Sequence, residues 1–82
     1  MRDGIYNTER QLEVLRAFFR REARRPASYQ EVCEDVGFAL RALERHVRIL
    51  EKRGLISRSP KRHRSVRLTR AGIAALEGRA SA

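Results

Sequence analysis

Four cations recur along one side of a predicted helix, and their type and spacing point to chemistry with an anionic partner. They are spaced i, i+4, i+7 and i+11, which at about 100° per residue places them on one helical face. The four are Arg41, Arg45, Arg48 and Lys52. A row of a single sign suits docking on a polyanion. The alternative, an ordinary solvated face, is weaker because a second basic cluster follows close by.

That second cluster lies between two short predicted strands. Residues 55–58 and 65–68 are predicted to pair on either side of a turn. Pro60 falls at the end of the first strand, where its missing amide leaves no ladder bond unmade. The basic residues from the first strand through the turn are Arg58, Lys61, Arg62, His63 and Arg64. The predicted ribbon therefore has a cationic tip.

The helix that carries the basic row is amphipathic. Leu43, Val47 and Leu50 recur at i, i+4 and i+7 within residues 39–53, and at about 100° per residue they lie almost opposite the cations. One side is thus expected to dock on a core while the other meets the polyanion. Gly54 is predicted to end this helix in the left-handed conformation.

Capping signals locate two earlier helices. Thr8 with Gln11, and Ser28 with Glu31, each have the spacing of a capping box. The first helix must end before Pro26, because proline disfavours helical geometry in the residue ahead of it. The residues expected on its apolar face are Leu12, Leu15 and Phe19, widened by Val14 and Phe18.

The second and third helices are separated only by a tight turn. Gly37 is a natural left-handed stop for the short second helix, and Phe38 follows it. Two helices in this arrangement form a helix-turn-helix, in which the second helix enters the major groove by its amino-terminal half. The amino terminus of the first helix of the pair can face a phosphate. The candidate phosphate partners there are Ser28, Tyr29 and Gln30.

The third helix divides into two sets of candidate contacts. In its leading half, Arg41 and Arg45 can bond guanine, and the methyl group of Ala42 can touch thymine. Further along, Arg48 and Lys52 are expected to meet phosphate, which fixes register without reading sequence. The ribbon cations are candidate phosphate partners.

Other residues of these helices have mainly structural interpretations. His46 lies beside the apolar row and is predicted to be packed, and Cys33 is predicted to be a core or boundary residue. Glu44 could accept from cytosine, but an ion pair with Arg48 at i+4 is favoured. For Ile49, contact with the ribbon and contact with a partner subunit stay equally open.

Composition supports a nucleic-acid partner and excludes several other classes. The 82 residues carry 19 lysines and arginines against 10 acidic residues, a net charge of +9, which implies nucleic acid or an anionic surface. A single cysteine and two distant histidines predict no metal site and no cofactor. No set of catalytic residues can be assembled, so we do not expect an enzyme. No apolar run approaches the roughly 18 residues of a membrane span, so no membrane contact is expected and a cytoplasmic, nucleoid-associated location is predicted.

Several segments carry a resemblance to known families. Residues 8–15 (TERQLEVL), residues 25–32 (RPASYQEV) and the pair Gly37-Phe38 resemble the amino-terminal DNA-binding domain of LexA repressors. Residues 45–56 (RHVRILEKRGLI) and 65–72 (SVRLTRAG) are similar to MarR-type winged helices. The resemblance implies a dimeric repressor that binds a palindromic site through helix 3, with the wing on the flanking backbone.

We therefore expect residues 1–82 to form one winged helix-turn-helix domain of the α+β class, mainly α with a small β-hairpin, ordered over about residues 8–77. It has a three-helix core, a two-stranded wing and a short terminal helix, residues 70–78, capped by Thr69. The predicted function is sequence-specific binding of double-stranded DNA by a transcriptional repressor that pairs as a homodimer mainly on DNA. The alternative is a protein-binding accessory factor that docks on RNA polymerase or a replication protein. Such a factor would show exposed apolar residues on helix 3, where only Leu40 and Ile49 qualify.

Overall fold

Local signals in the chain produce four helices and one two-stranded antiparallel sheet in the described part of this computed structural model, which comprises residues 8–59 and 65–81. In chain order the elements are α1 (Thr8–Glu22), α2 (Tyr29–Val36), α3 (Leu40–Lys52), β1 (Ile56–Ser57), β2 (Arg67–Leu68) and α4 (Arg70–Ser81). This confirms the predicted small α+β fold with its helix-turn-helix and wing. We use "wing" for β1, β2 and the residues that connect them.

The ends of α2 are fixed by the predicted residues. The backbone amide of Glu31 donates to the Ser28 hydroxyl oxygen at 3.1 Å, and the Ser28 amide donates to a Glu31 carboxylate oxygen at 2.9 Å. This reciprocal pair is the capping box. At the other end Gly37 has φ of +75°, and its amide donates to the Cys33 carbonyl at 2.8 Å. Because a left-handed residue cannot continue the helix, the chain turns here toward α3.

The capping box predicted at the start of α1 stays a prediction. The helix begins at Thr8, whose side chain lies outside the described part. The side-chain oxygen of Gln11, its predicted partner, accepts a hydrogen bond from the Arg53 guanidinium, and Gln11 is buried. Gln11 therefore joins α1 to the end of α3.

The core lies between α1, α3 and the sheet. Val14, Leu15 and Phe18 are fully buried on α1, whereas Phe19 is 41% exposed. The apolar face of α1 is therefore centred nearer Phe18 than the sequence pattern predicted. The core residues from α3 and the strands are Leu43, Val47, Leu50, Ile56 and Leu68.

Cys33 lies at the edge of this core, as predicted. It is half-buried and packs against the buried cluster. Burial raises the pKa of its thiol, and the negative charges of Glu44 and Glu34 raise it further. A protonated, half-buried thiol is a packing residue rather than a nucleophile.

The two strands of the wing are shorter than the sequence predicted. Its ladder pairs Ile56 with Leu68 and Ser57 with Arg67. Beyond the ladder the strands are joined through a side chain instead, since the Ser59 amide donates to the Ser65 hydroxyl oxygen at 3.0 Å and that hydroxyl donates to the Ser59 carbonyl at 2.9 Å. Residues 60–64, which include Pro60, lie outside the described residues.

Thr69 joins the wing to α4 in the predicted capping role. Its hydroxyl oxygen accepts from the Gly72 amide at 3.1 Å, and its hydroxyl donates to the Gly54 carbonyl at 2.7 Å. The helix that it caps continues to Ser81, beyond the predicted end at residue 78. Gly54, with φ of +78°, ends α3 as predicted.

Gly72 permits a close approach between α4 and the segment that follows α3. A Cβ atom added at Gly72 would lie 2.1 Å from the Leu55 carbonyl oxygen, a backbone atom that cannot move aside alone. Overpacking of this kind typically costs about 1–3 kcal/mol. Gly78, in the same helix, has no atom within 4 Å of the equivalent position.

We predict that Gly72→Ala lowers the free energy of unfolding by at least about 1 kcal/mol. Gly78→Ala is the matched control and should raise it by up to about 1 kcal/mol, because alanine has the higher helix propensity. Urea titrations followed by circular dichroism measure both. Equal stability of the two variants would contradict the close approach.

Candidate nucleic-acid interface

The basic row of α3 faces away from the core. Arg41, Arg45, Arg48 and Lys52 are all exposed. On the opposite side of the helix Leu43, Val47 and Leu50 are completely buried. The arrangement predicted from their spacing is therefore present, and the helix offers four cations to a partner. Ala42, the predicted thymine contact, is half-buried beside the row.

A stack of side chains fixes α3 against the turn of the helix-turn-helix. The ring of Phe38, in the turn, stacks on the ring of His46 with centroids 5.2 Å apart and planes 24° apart. The guanidinium carbon of Arg10 lies 5.5 Å from the centroid of the Phe38 ring, within range of a cation–π interaction. His46 is 1% exposed, which confirms that it is a packed side chain.

The environment of His46 favours its neutral form. Burial, and secondarily the positive charge of Arg10, lower its pKa below the ordinary histidine value, although Glu13 acts in the opposite direction. Burial disfavours the charged ring because a buried charge loses its hydration.

The basic row borders an open groove with an apolar residue in its wall. The groove has a volume of about 290 Å³ and is lined by Arg45, Arg48, Ile49 and Lys52. Ile49 is half-buried among these cations and does not belong to the core cluster. The described residues that line the groove all belong to α3. For Ile49, contact with the wing and contact with a partner subunit therefore both stay predictions.

The ion pair predicted between Glu44 and Arg48 is wrong. Arg21, Arg25 and Arg58 form ion pairs among residues 8–59 and 65–81, whereas no ion pair there joins Glu44 to Arg48. Exposed pairs at this spacing stabilise a helix by only about 0.2–0.5 kcal/mol. A gain this small does not hold two flexible side chains together, and both are exposed to solvent.

The amino terminus of α2 presents fewer free side chains than predicted. The Ser28 hydroxyl oxygen accepts from the Glu31 amide, and the Tyr29 hydroxyl accepts from Arg58 at 2.8 Å. Gln30 is exposed. Of the three predicted phosphate partners, Gln30 is thus the one whose side chain projects most freely from the protein.

Ion pairs hold α2 against the end of α1 and the segment that follows it. Arg21 donates to both carboxylate oxygens of Asp35, at 2.7 and 2.9 Å, and such bidentate pairs have a defined geometry. The hydrogen bond from Arg21 lowers the pKa of Asp35. Arg25 approaches Glu31 at 3.4 Å. The helix-turn-helix is therefore tied to α1 from both α2 and the Phe38 stack.

Arg58 was predicted to bind phosphate, but its guanidinium already has two protein partners. Its Nη1 donates to the Tyr29 hydroxyl at 2.8 Å, and its Nε donates to a Glu51 carboxylate oxygen at 3.1 Å. Burial alone would lower the pKa of Arg58, yet the interactions with Tyr29 and Glu51 outweigh it and raise the pKa. Sequence reasoning missed this contact, since Tyr29 and Arg58 are 29 residues apart and no periodicity links them.

The remaining predicted contacts lie in the tip of the wing. Lys61, Arg62, His63 and Arg64 fall outside the described residues. Their contacts with phosphate stay predictions. In the described part of the chain no helix is both long and apolar enough to cross a membrane.

Comparison with known proteins identifies the family. Residues 7–65 match the LexA DNA binding domain, a span that covers α1, the helix-turn-helix and β1 and ends before β2. The chain belongs to the LexA DNA-binding domain family. This LexA-type domain is therefore a DNA-binding domain, and the contacts of its exposed cations with DNA stay predictions. The similarity to MarR-type winged helices stays a prediction.

A solved structure shares the fold. It is a protein with unknown function from Listeria innocua Clip11262, 24% identical, with a TM-score of 0.76. The match covers 90% of this chain and 51% of the other, so the LexA-type chain spans about half the length of that relative. At this identity the likeness shows the fold alone. No curated protein matches the chain.

The burial of His46 predicts that the stability of the folded protein depends on pH. Because the pKa of His46 is lower in the folded state than in the unfolded state, the unfolded chain binds more protons in mildly acidic solution. Stability should be fully present above the unfolded value of about 6.5 and should decline as the pH falls through and below it, by at most about 1.4 kcal/mol per pH unit. Urea unfolding at pH 7.5 and pH 5 measures this decline. A His46→Gln variant, which cannot titrate there, should lose less stability over the same range; equal losses would contradict the assignment.

Proposed function

We propose that this protein is a sequence-specific transcriptional repressor that inserts α3 into the major groove of double-stranded DNA and rests its basic wing on the flanking backbone. The observation that carries the proposal is the exposed row of four cations on a helix whose other face is completely buried. The helix-turn-helix arrangement and membership in the LexA family support it.

Within the groove, the leading half of α3 reads bases. Arg41 and Arg45 have the donors for a bidentate bond to guanine, and Ala42 can contact a thymine methyl. Arg48 and Lys52, further along the same row, bind phosphate and fix the register. Gln30 at the start of α2 and the wing cations Lys61, Arg62, His63 and Arg64 add backbone contacts.

Pairing of two subunits occurs mainly on the DNA. Ile73 and Leu76, the large apolar residues of α4, already pack partly against the core of their own subunit. They leave little apolar surface for a stable dimer, which typically buries about 800 Å² per partner. We place the protein in the cytoplasm, associated with the nucleoid.

One observation favours the alternative, an accessory factor that docks on RNA polymerase or a replication protein. Leu40, the first residue of α3, is 51% exposed, and exposed apolar residues are typical of protein interfaces. The second exposed large apolar residue in the described part, Phe19, is on α1. An isolated leucine beside four cations favours DNA over a protein partner.

We predict that base readout and backbone binding separate along the basic row. Arg45→Ala should weaken binding to the preferred site by about 1–3 kcal/mol and flatten sequence preference. Lys52→Ala, a matched control in the same row, should weaken binding to all duplexes alike. Fluorescence anisotropy with the preferred duplex and with random DNA measures both effects. If the two variants lose affinity in the same way on both DNAs, α3 does not divide its contacts as proposed.

We also predict a strong dependence of binding on salt. Four or five phosphate contacts per subunit, drawn from Arg48, Lys52, Lys61, Arg62 and Arg64, should give a slope of log affinity against log salt of about −3.6 to −4.5 per subunit, at roughly 0.9 per neutralised phosphate. Replacing the three wing-tip cations by glutamine should reduce the magnitude of the slope by roughly 2–3. A slope near zero, unchanged by the triple substitution, would favour the accessory-factor alternative.

A further inference from the structure

Three side chains from three separate elements form a hydrogen-bonded chain beside the DNA-binding face. Tyr29 is the first residue of α2, Glu51 belongs to the last turn of α3, and Arg58 follows β1. The Arg58 Nη1 lies 2.8 Å from the Tyr29 hydroxyl oxygen, and the Arg58 Nε lies 3.1 Å from a Glu51 carboxylate oxygen. The wing is thus connected to both helices of the helix-turn-helix.

The wing needs such a connection because its own ladder is minimal. Among the described residues the ladder consists of two pairs, Ile56 with Leu68 and Ser57 with Arg67. A two-stranded hairpin is at best marginally stable alone in water, so its direction depends on what holds it. On one side Glu22 of α1 accepts from the Leu68 amide at 3.1 Å. On the other side Ile56 of β1 belongs to the same buried core as Leu50 of α3, and Arg58 adds the polar contact with α2 and α3.

The two partners of Arg58 are well placed to hold it. The Tyr29 ring packs edge-on against the buried ring of Phe18, with centroids 6.2 Å apart and planes 76° apart. Its hydroxyl therefore projects from a fixed position. Glu51 offers a carboxylate, and hydrogen bonds between charged groups are roughly twice as strong as neutral ones. About 30% of the Arg58 side chain is exposed, so solvent competes only in part.

We propose that Arg58 is a positioning residue: its bonds to Tyr29 and Glu51 set the direction of the wing relative to α3, and so decide where the wing cations meet the DNA backbone. The expected effect on DNA binding rests on the proposed function. The hydrogen bonds of Arg58 to Tyr29 and Glu51 are present in the free protein. The Tyr29 hydroxyl thus has a role in holding Arg58, although both residues were predicted from the sequence to bind phosphate.

The test uses Tyr29→Phe, which removes the hydroxyl but keeps the ring against Phe18 and changes no charge. Arg58→Gln removes the guanidinium, and the double variant removes both. Arg67→Gln is the matched control, because it removes one exposed cation from the neighbouring strand without touching Tyr29 or Glu51. Each protein is measured free and bound to a duplex that the wild type prefers.

In the free protein, residual dipolar couplings of backbone amides report the direction of β1 and β2 relative to α3. Tyr29→Phe and Arg58→Gln should change the couplings of the strands but not those within α3, and Arg67→Gln should change neither set. Unchanged strand couplings in Tyr29→Phe would overturn the proposal. This measurement needs no DNA, so it decides the positioning role even if the wild type fails to bind any duplex, a result that would instead reject the proposed function.

On DNA, Tyr29→Phe and Arg58→Gln should each reduce affinity about three- to tenfold, the effect expected for losing one hydrogen bond. The double variant should lose no more than the weaker-binding single variant, because both substitutions break the same connection. Arg67→Gln combined with Tyr29→Phe should show losses that multiply. If the losses of Tyr29→Phe and Arg58→Gln also multiply, the two side chains contact DNA independently and the positioning role is wrong.

Discussion

The division of α3 into a buried face and a charged face is the constraint on which the rest of the structure depends. A chain of 82 residues has one small core, and α3 contributes Leu43, Val47 and Leu50 to it. Since those residues use one side of the helix, the cations must occupy the other. Desolvating four cations in the core would cost far more than the core could offset. Burial of the apolar face of α3 therefore also leaves its basic row exposed to solvent.

Contacts at the edges of α3 turn that exposed row into an oriented surface. Phe38 stacks on His46 at the turn, and Arg53 reaches Gln11 on α1. Glu51 holds Arg58 on the wing side. These contacts come from α1, the turn and the wing, so the direction of the cations relative to the wing is defined by several independent attachments. A DNA-binding surface made of two elements requires a fixed direction of one element relative to the other, because a shift in one element would misplace its contacts.

Much of this could be predicted from the sequence, because the deciding interactions are local. The Ser28–Glu31 capping box, the stops at Gly37 and Gly54, and the two faces of α3 each depend on residues a few positions apart. Features set by distant residues could not be predicted. Phe18 rather than Phe19 centres the face of α1 because the neighbouring elements select it, and the Arg58–Tyr29 bond spans 29 residues. Binding by the basic row and the wing tip stays a prediction from charge and spacing.

The central claim is that α3 reads base sequence in duplex DNA. Selection of bound sequences from a random duplex library, followed by sequencing, tests it most directly. We expect enrichment of a palindromic motif with half-sites one helical turn, about 10 base pairs, or a multiple of that apart, because paired helix-turn-helix subunits bind at this spacing. Enrichment of single half-sites alone would support base readout by α3 but would contradict the pairing of two subunits on DNA. Retention of the library without any enriched sequence would show that the basic row binds backbone only, and would contradict the claim.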